Sequence, residues 1–208
     1  MHIAIIGAGS VGASLGRGWA RKGHAITFGV RDAASPELAP LLEETRATAS
    51  SPGDAVRAAE VVVLATPWRA TLEVVRGLDL AGKIVVDATN PLAPNLAGLE
   101  LGGDSSGGEA VQKAARGARV VKCFNTTGAE NFLAPAFPGG TAVMFYCGDD
   151  AAAKATVGAL GADLGFDMVD IGPLSRSRLL EPLALLWVTM AYPLGMGRGI
   201  AFGLLKKR

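Results

Sequence analysis

The hexapeptide Gly7-Ala8-Gly9-Ser10-Val11-Gly12 constrains this chain more than any other feature of it. It fits G-x-G-x-x-G and follows an apolar run, Ile3–Ile6, that reads as a strand. A helical pattern opens directly behind it, with Val11, Leu15 and Trp19 recurring at i, i+4 and i+8 within Val11–Lys22. Strand, glycine turn and helix in that order suit a bound pyrophosphate. Gly7 permits the tight turn, Gly9 has no Cβ to hold an anion off the backbone, and Gly12 lets the helix pack closely on the strand. The helix start then offers free N–H groups and the positive end of its dipole. The turn therefore predicts dinucleotide binding through Gly7, Ala8, Gly9, Ser10, Val11 and Gly12. The alternative is a glycine-rich turn with no ligand.

The order of the remaining elements agrees with that start. Apolar runs at Ala25–Val30, Val61–Ala65, Ile84–Val86 and Arg119–Phe124 read as further strands. Helical pieces lie between them at Pro36–Arg46, Ser51–Ala59, Arg69–Val75 and Glu109–Arg116. The runs are rich in Val and Ile and continuous rather than alternating, as in parallel strands buried on both faces. The fold class expected is α/β, a Rossmann-type doubly wound, mostly parallel sheet. The Gly/Ser-rich stretch Gly98–Gly108 reads as an exposed loop. A weaker boundary near Gly128 divides residues 1–127, the dinucleotide-binding domain, from residues 128–208, a small C-terminal α/β lobe. In the lobe we expect strand Ala142–Cys147, helix Asp150–Leu164, strand Phe166–Ile171 and two helices, about Ser175–Tyr192 and Gly197–Lys207.

Composition narrows the function. Twenty Lys plus Arg against 19 Asp plus Glu leave +1, too little basic excess for a dedicated nucleic-acid binder. The 208 residues are 50% hydrophobic, which excludes intrinsic disorder and suffices for a full core. Cys123 and Cys147 form no CxxC, so neither a zinc ribbon nor a thioredoxin-like motif is present, and both read as small buried hydrophobes. No disulfide framework is needed, which fits a reducing, cytoplasmic setting. Met1–Gly7 reads as a strand rather than a signal peptide. The uncharged run Pro182–Gly197 has 16 residues, short of the ~20 that span a bilayer, so it reads as a buried or subunit-packing helix.

The second strand bears on the choice of dinucleotide. An NAD site usually ends this strand in an acid that binds the ribose hydroxyls. Here Val30 holds that position and Arg31 follows, a residue suited to a 2′-phosphate through charge-assisted bonds. This favours NADP(H), while Asp32 would serve NAD(H) if the register slipped. Proton-donating groups are few. His2 and His24 flank strand starts at the far edge, and neither Tyr146 nor Tyr192 belongs to a Tyr-x-x-x-Lys dyad. Neither G-x-S-x-G nor H-E-x-x-H occurs, so no catalytic acid, base, nucleophile or metal ligand is assigned. Hydride transfer to a second ring system needs little beyond stacking and orientation. Asp149-Asp150 reads as a helix cap rather than a metal site, and Glu181 as a partner of Arg178.

Further motifs follow the later strands: Ala65-Thr66-Pro67-Trp68, Asp87-Ala88-Thr89-Asn90-Pro91-Leu92 and Lys122-Cys123-Phe124-Asn125-Thr126. Beyond them lie Cys147-Gly148-Asp149-Asp150 and Gly172-Pro173-Leu174-Ser175-Arg176-Ser177-Arg178-Leu179-Leu180-Glu181. Together these resemble the NADP oxidoreductase family that works with the deazaflavin coenzyme F-420, and the related reductase domain of the STEAP metalloreductases. The resemblance implies hydride transfer between NADP(H) and a deazaflavin, with a flavin as another acceptor, and a homodimer. It further implies that Arg31 holds the 2′-phosphate and that Ala65, Thr66, Pro67 and Trp68 line the nicotinamide half. Asn90, Pro91, Cys123, Asn125 and Thr126 would flank the nicotinamide and the second ring, under cover of the C-terminal segment. The chain departs from the family at Ala8 and Val30, where hydroxyl residues usually help to hold the 2′-phosphate. A dinucleotide-binding redox sensor without catalysis is the competing reading.

Overall fold

The computed structural model describes residues 1–207. In chain order the elements are β1 (His2–Ile6), α1 (Ser10–Arg21), β2 (Ala25–Gly29), α2 (Ala39–Thr45), β3 (Thr48–Ser50), α3 (Pro52–Ala58), β4 (Val61–Leu64) and α4 (Trp68–Arg76). There follow β5 (Ile84–Asp87), α5 (Gly107–Ala114), β6 (Arg119–Lys122), β7 (Ala136–Phe137), β8 (Gly140–Thr141), β9 (Val143–Gly148), α6 (Ala151–Asp163), β10 (Asp167–Asp170) and α7 (Ser177–Ala191).

Eight strands form one sheet in the order β10-β9-β6-β5-β4-β1-β2-β3. From β3 to β6 every pair is parallel, and β9 joins β6 antiparallel through Val121↔Gly148 and Lys122↔Cys147. The doubly wound α/β sheet expected from the sequence is thus present. Of the later strands, β9 and β10 extend it directly, while β7 and β8 pair with each other in a separate antiparallel two-stranded sheet.

Alternation along each strand supplies two cores. Ile3, Ile5, Phe28, Val63, Val86 and Val121 face α1, α2 and α6, while Ala4, Ile6, Val62, Leu64, Val85 and Val120 face α3, α4, α5 and α7. Both faces are apolar because both are covered, which is why these strands read as unbroken hydrophobic runs.

Three details differ from the sequence reading. Thr48–Ser50 forms a short edge strand on β2 that its polar composition concealed. α5 starts two residues earlier than Glu109, at Gly107-Gly108, where Ser106 Oγ accepts from Glu109 N. The helix expected over Gly197–Lys207 is absent from its described residues. Gly195 and Gly197 take positive φ, and the chain runs on extended, with Phe202 O accepting from Val143 N at 2.9 Å. Glycines at 195, 197, 199 and 203 make a helix there costly. No helix among the described residues is long and apolar enough to cross a membrane.

Candidate active site

The carboxyl ends of β1, β2 and β4 open onto a cleft of about 730 Å³. Gly7, Ala8, Gly9, Ser10 and Val11 line it, together with Arg31, Ala65, Thr66 and Pro67. The sequence thus placed nine of its site residues around one hollow. Gly12 lies behind the turn: a Cβ there would collide with the Gly7 carbonyl and meet the Ile5 side chain at 3.1 Å. Gly7 has φ +106°, and a Cβ on it would stand 2.6 Å from Ala65 O. Both glycines are required by the fold itself.

Gly9 is different. It is the N-cap of α1 with φ −71°, and a Cβ on it would meet nothing within 4 Å. No side chain caps α1, and its first turn carries no acid. Free N–H groups and the positive helix end therefore face the cleft with no built-in anion to satisfy them. These residues fit a bound pyrophosphate.

Where the cleft reaches the end of β2, Arg31 is exposed and makes no ion pair among the described residues. Asp32 Oδ1 accepts from Ala34 N at 3.0 Å, so its carboxylate is already engaged in its own turn. Ser35 and Glu37 also line the cleft, and sequence reasoning missed both. They follow the strand by several residues, where no spacing rule would place them.

Trp68, Asn90, Pro91, Cys123, Asn125 and Thr126 lie outside the cleft's lining, at the neighbouring ends of β4, β5 and β6. Asn90 and Asn125 lock together. Asn125 Nδ2 donates to Asn90 Oδ1 (3.0 Å) and Leu180 O (3.3 Å), while Asn90 Nδ2 donates to Asn125 O (2.8 Å). Nδ2 faces two acceptors, so the amide cannot be turned round. Asn125 Oδ1 is left buried without a partner. Between β6 and Asn125, Phe124 holds φ +60°, pinned by edge-on packing against Trp19 and Phe132. The Cys123 side chain is wholly buried, and burial pushes its thiol well up; that of Cys147 is pushed up to about 11, also by burial. Both cysteines are therefore held as inert thiols at neutral pH.

Behind this edge lies a buried ionic cluster. Lys122 Nζ stands 2.9 Å from Asp87 Oδ2 and 3.0 Å from Glu181 Oε1, and donates to Thr89 O at 2.6 Å. Burial alone would lower the Lys122 ammonium, but Asp87 and Glu181 outweigh it and hold it above its ordinary value. Glu181 thus does not pair with Arg178, as its spacing suggested. Arg178 turns outward to Glu109 at 2.7 Å and, chiefly by hydrogen bonding, holds that carboxyl below its usual range. Asp150, as expected, caps α6 by accepting from Ala153 N at 2.7 Å.

Residues 2–91 match the family profile described as "NADP oxidoreductase coenzyme F420-dependent". A crystal structure from Arthrobacter sp. FB24, described as that of "a putative f420 dependent nadp-reductase", superposes with a TM-score of 0.88 at 32% identity, over 98% of this chain and 99% of that one. Metalloreductase STEAP3 of Rattus norvegicus is 30% identical over 185 residues, 88% of this chain and 36% of that protein. The chain thus spans about a third of that curated relative. A reductive aminase from Aspergillus terreus shares the fold at 23% identity, with a TM-score of 0.69 over 93% of this chain and 62% of that one.

Proposed function

The chain belongs to the family of F-420-dependent NADP oxidoreductases, and from that premise we propose that it passes a hydride between NADP(H) and a deazaflavin of the F-420 type or a flavin. The uncapped, glycine-walled start of α1 beside the unpaired Arg31 carries the dinucleotide half of this reading. The acceptor half is supported by the chemistry of the next strand ends. Thr66, Pro67, Trp68, Asn90, Pro91, Asn125 and Thr126 offer hydroxyl, amide and apolar groups, suited to holding and drying two stacked rings. The nearby titratable groups, Lys122, Asp87 and Glu181, are buried and engaged with one another. The nicotinamide cofactor supplies the hydride when bound; the chain orients the rings and excludes water. The reading includes a cytoplasmic homodimer, which the exposed Leu179, Leu186, Leu194 and Met196 on and after α7 support.

The test is to mix the protein with NADPH and, in turn, a deazaflavin, a flavin and a ferric–flavin couple. Loss of reduced-nicotinamide absorbance with one of these is expected. No loss with any acceptor, while NADPH still binds, would leave a non-catalytic redox sensor.

Two variants refine the reading. Arg31→Ala should remove about 1.5–3 kcal/mol of charge-assisted bonding to the 2′-phosphate. Calorimetry should find wild type preferring NADP(H) over NAD(H) by at least about tenfold, the variant losing most of that preference. Equal affinities in wild type would refute the role. Asn125→Ala should slow transfer by about 10- to 100-fold through lost orientation, without shifting the pH profile. A moved pH profile would instead mark the amide network as part of a proton path.

A further inference from the structure

The buried cluster behind Trp68 and Pro91 does not balance its charges. One ammonium, Lys122, faces two carboxylates, Asp87 and Glu181, and none of the three side chains is more than 1% exposed. The other polar contacts to the carboxylates are donors: Thr89 N and Oγ1 to Asp87, and Gly107 N and Gly108 N to Glu181. The start of α5 offsets roughly half a charge of the formal negative excess. The remainder is fixed in a region that water does not screen. The surface pairs bordering this edge, Arg69–Glu100 and Arg178–Glu109, neutralise themselves and reach solvent.

The excess also has a definite address. A Cβ on Gly107 would lie 3.0 Å from Glu181 Oε1, 3.2 Å from Trp68 Cζ3 and 3.3 Å from Pro91 Cδ. Glu181 Oε1, Trp68 and Pro91 therefore border one point beside Gly107, which brings the anionic group close to two residues of the proposed ring site. Lys122 and Asp87 also hold the backbone of Thr89, which leads into Asn90 and Pro91.

We propose that this buried anionic excess favours the oxidised, cationic nicotinamide over the reduced, neutral one and so poises the bound couple to give up hydride. The proposal rests on the placement of the nicotinamide beside Trp68 and Pro91 argued under the proposed function. The two forms of the dinucleotide share every phosphate and sugar and differ by one positive charge on the ring. A preformed charge that need not reorganise acts on that difference alone. If the cluster served only packing, its loss would weaken both forms alike.

The experiment is calorimetric titration of the whole chain with NADP+ and with NADPH, no acceptor present. Wild type should bind NADP+ tighter by about three- to tenfold. A tenfold ratio corresponds to about 30 mV for a two-electron couple. Glu181→Gln should bring the ratio close to one by weakening NADP+ while leaving NADPH within about twofold. Asp87→Asn is a second variant that removes the same charge from the other side and should act likewise. NADPH binding as tightly as NADP+ to wild type overturns the proposal whether or not either variant folds. A variant that weakens both forms equally overturns it as well. If neither form binds wild type, the placement of the dinucleotide falls, and this proposal with it.

Discussion

Gly9→Val should abolish dinucleotide binding, by about 100-fold or more, while the protein stays folded. The two halves of that expectation come from separate observations. The N-cap backbone at Gly9, φ −71°, is one that any residue adopts, and the space beyond its Cβ is empty of protein atoms within 4 Å. Valine is a poor N-cap, but that costs only about 1 kcal/mol. The same empty space is where a pyrophosphate must lie to meet the N–H groups of α1. A branched side chain there excludes the anion and nothing else. Gly12→Ala gives the contrast, since its Cβ would collide with the Gly7 carbonyl and damage the turn itself. Thermal melting alongside calorimetry separates the two. A Gly9→Val protein that melts normally and binds NADP(H) like wild type would place the phosphates elsewhere.

The strand–turn–helix at the N-terminus was legible because each step in it is local. An apolar run, three glycines at fixed offsets and a helical repeat lie within about twenty consecutive residues, and each answers to a spacing rule. The parallel sheet followed from the same kind of signal, since strands covered on both faces cannot alternate. The tail was misread because Ile200, Phe202, Leu204 and Leu205 supply apolar residues without the helical conformers that Gly199 and Gly203 fail to favour. Glu181 was misread for a related reason. Arg178 lies three residues before it on α7, and helix spacing pairs them. The partner Glu181 takes, Lys122, comes from the end of another strand, and its α5 contacts lie 73 and 74 residues away. One clue was available. Once β5 and β6 are taken as adjacent parallel strands ending together, Asp87 and Lys122 fall in register, two opposite charges closing two apolar runs.

Lys122→Met should destabilise the fold by about 3–5 kcal/mol, the range for removing one partner from a buried ion pair. Methionine matches the length and apolar stem of lysine, so little volume is lost. What is lost is the single cation between two buried carboxylates, together with its bond to Thr89 O at 2.6 Å. Asp87 and Glu181 would then face each other with only neutral donors to share. For a chain of this size the loss should lower the melting temperature by about 6–20 °C. The cluster ties the end of β5, the end of β6, the start of α5 and the second turn of α7 to one point, so its loss should loosen all four together. Replacing all three charges should be far milder, because uncompensated charge rather than a missing contact is the source of the cost. The triple variant Asp87→Asn, Lys122→Met, Glu181→Gln should therefore recover at least half of the lost stability, read by urea unfolding. A triple variant no more stable than Lys122→Met alone would mean that the ammonium's hydrogen bonds, not the balance of charge, hold this corner of the fold.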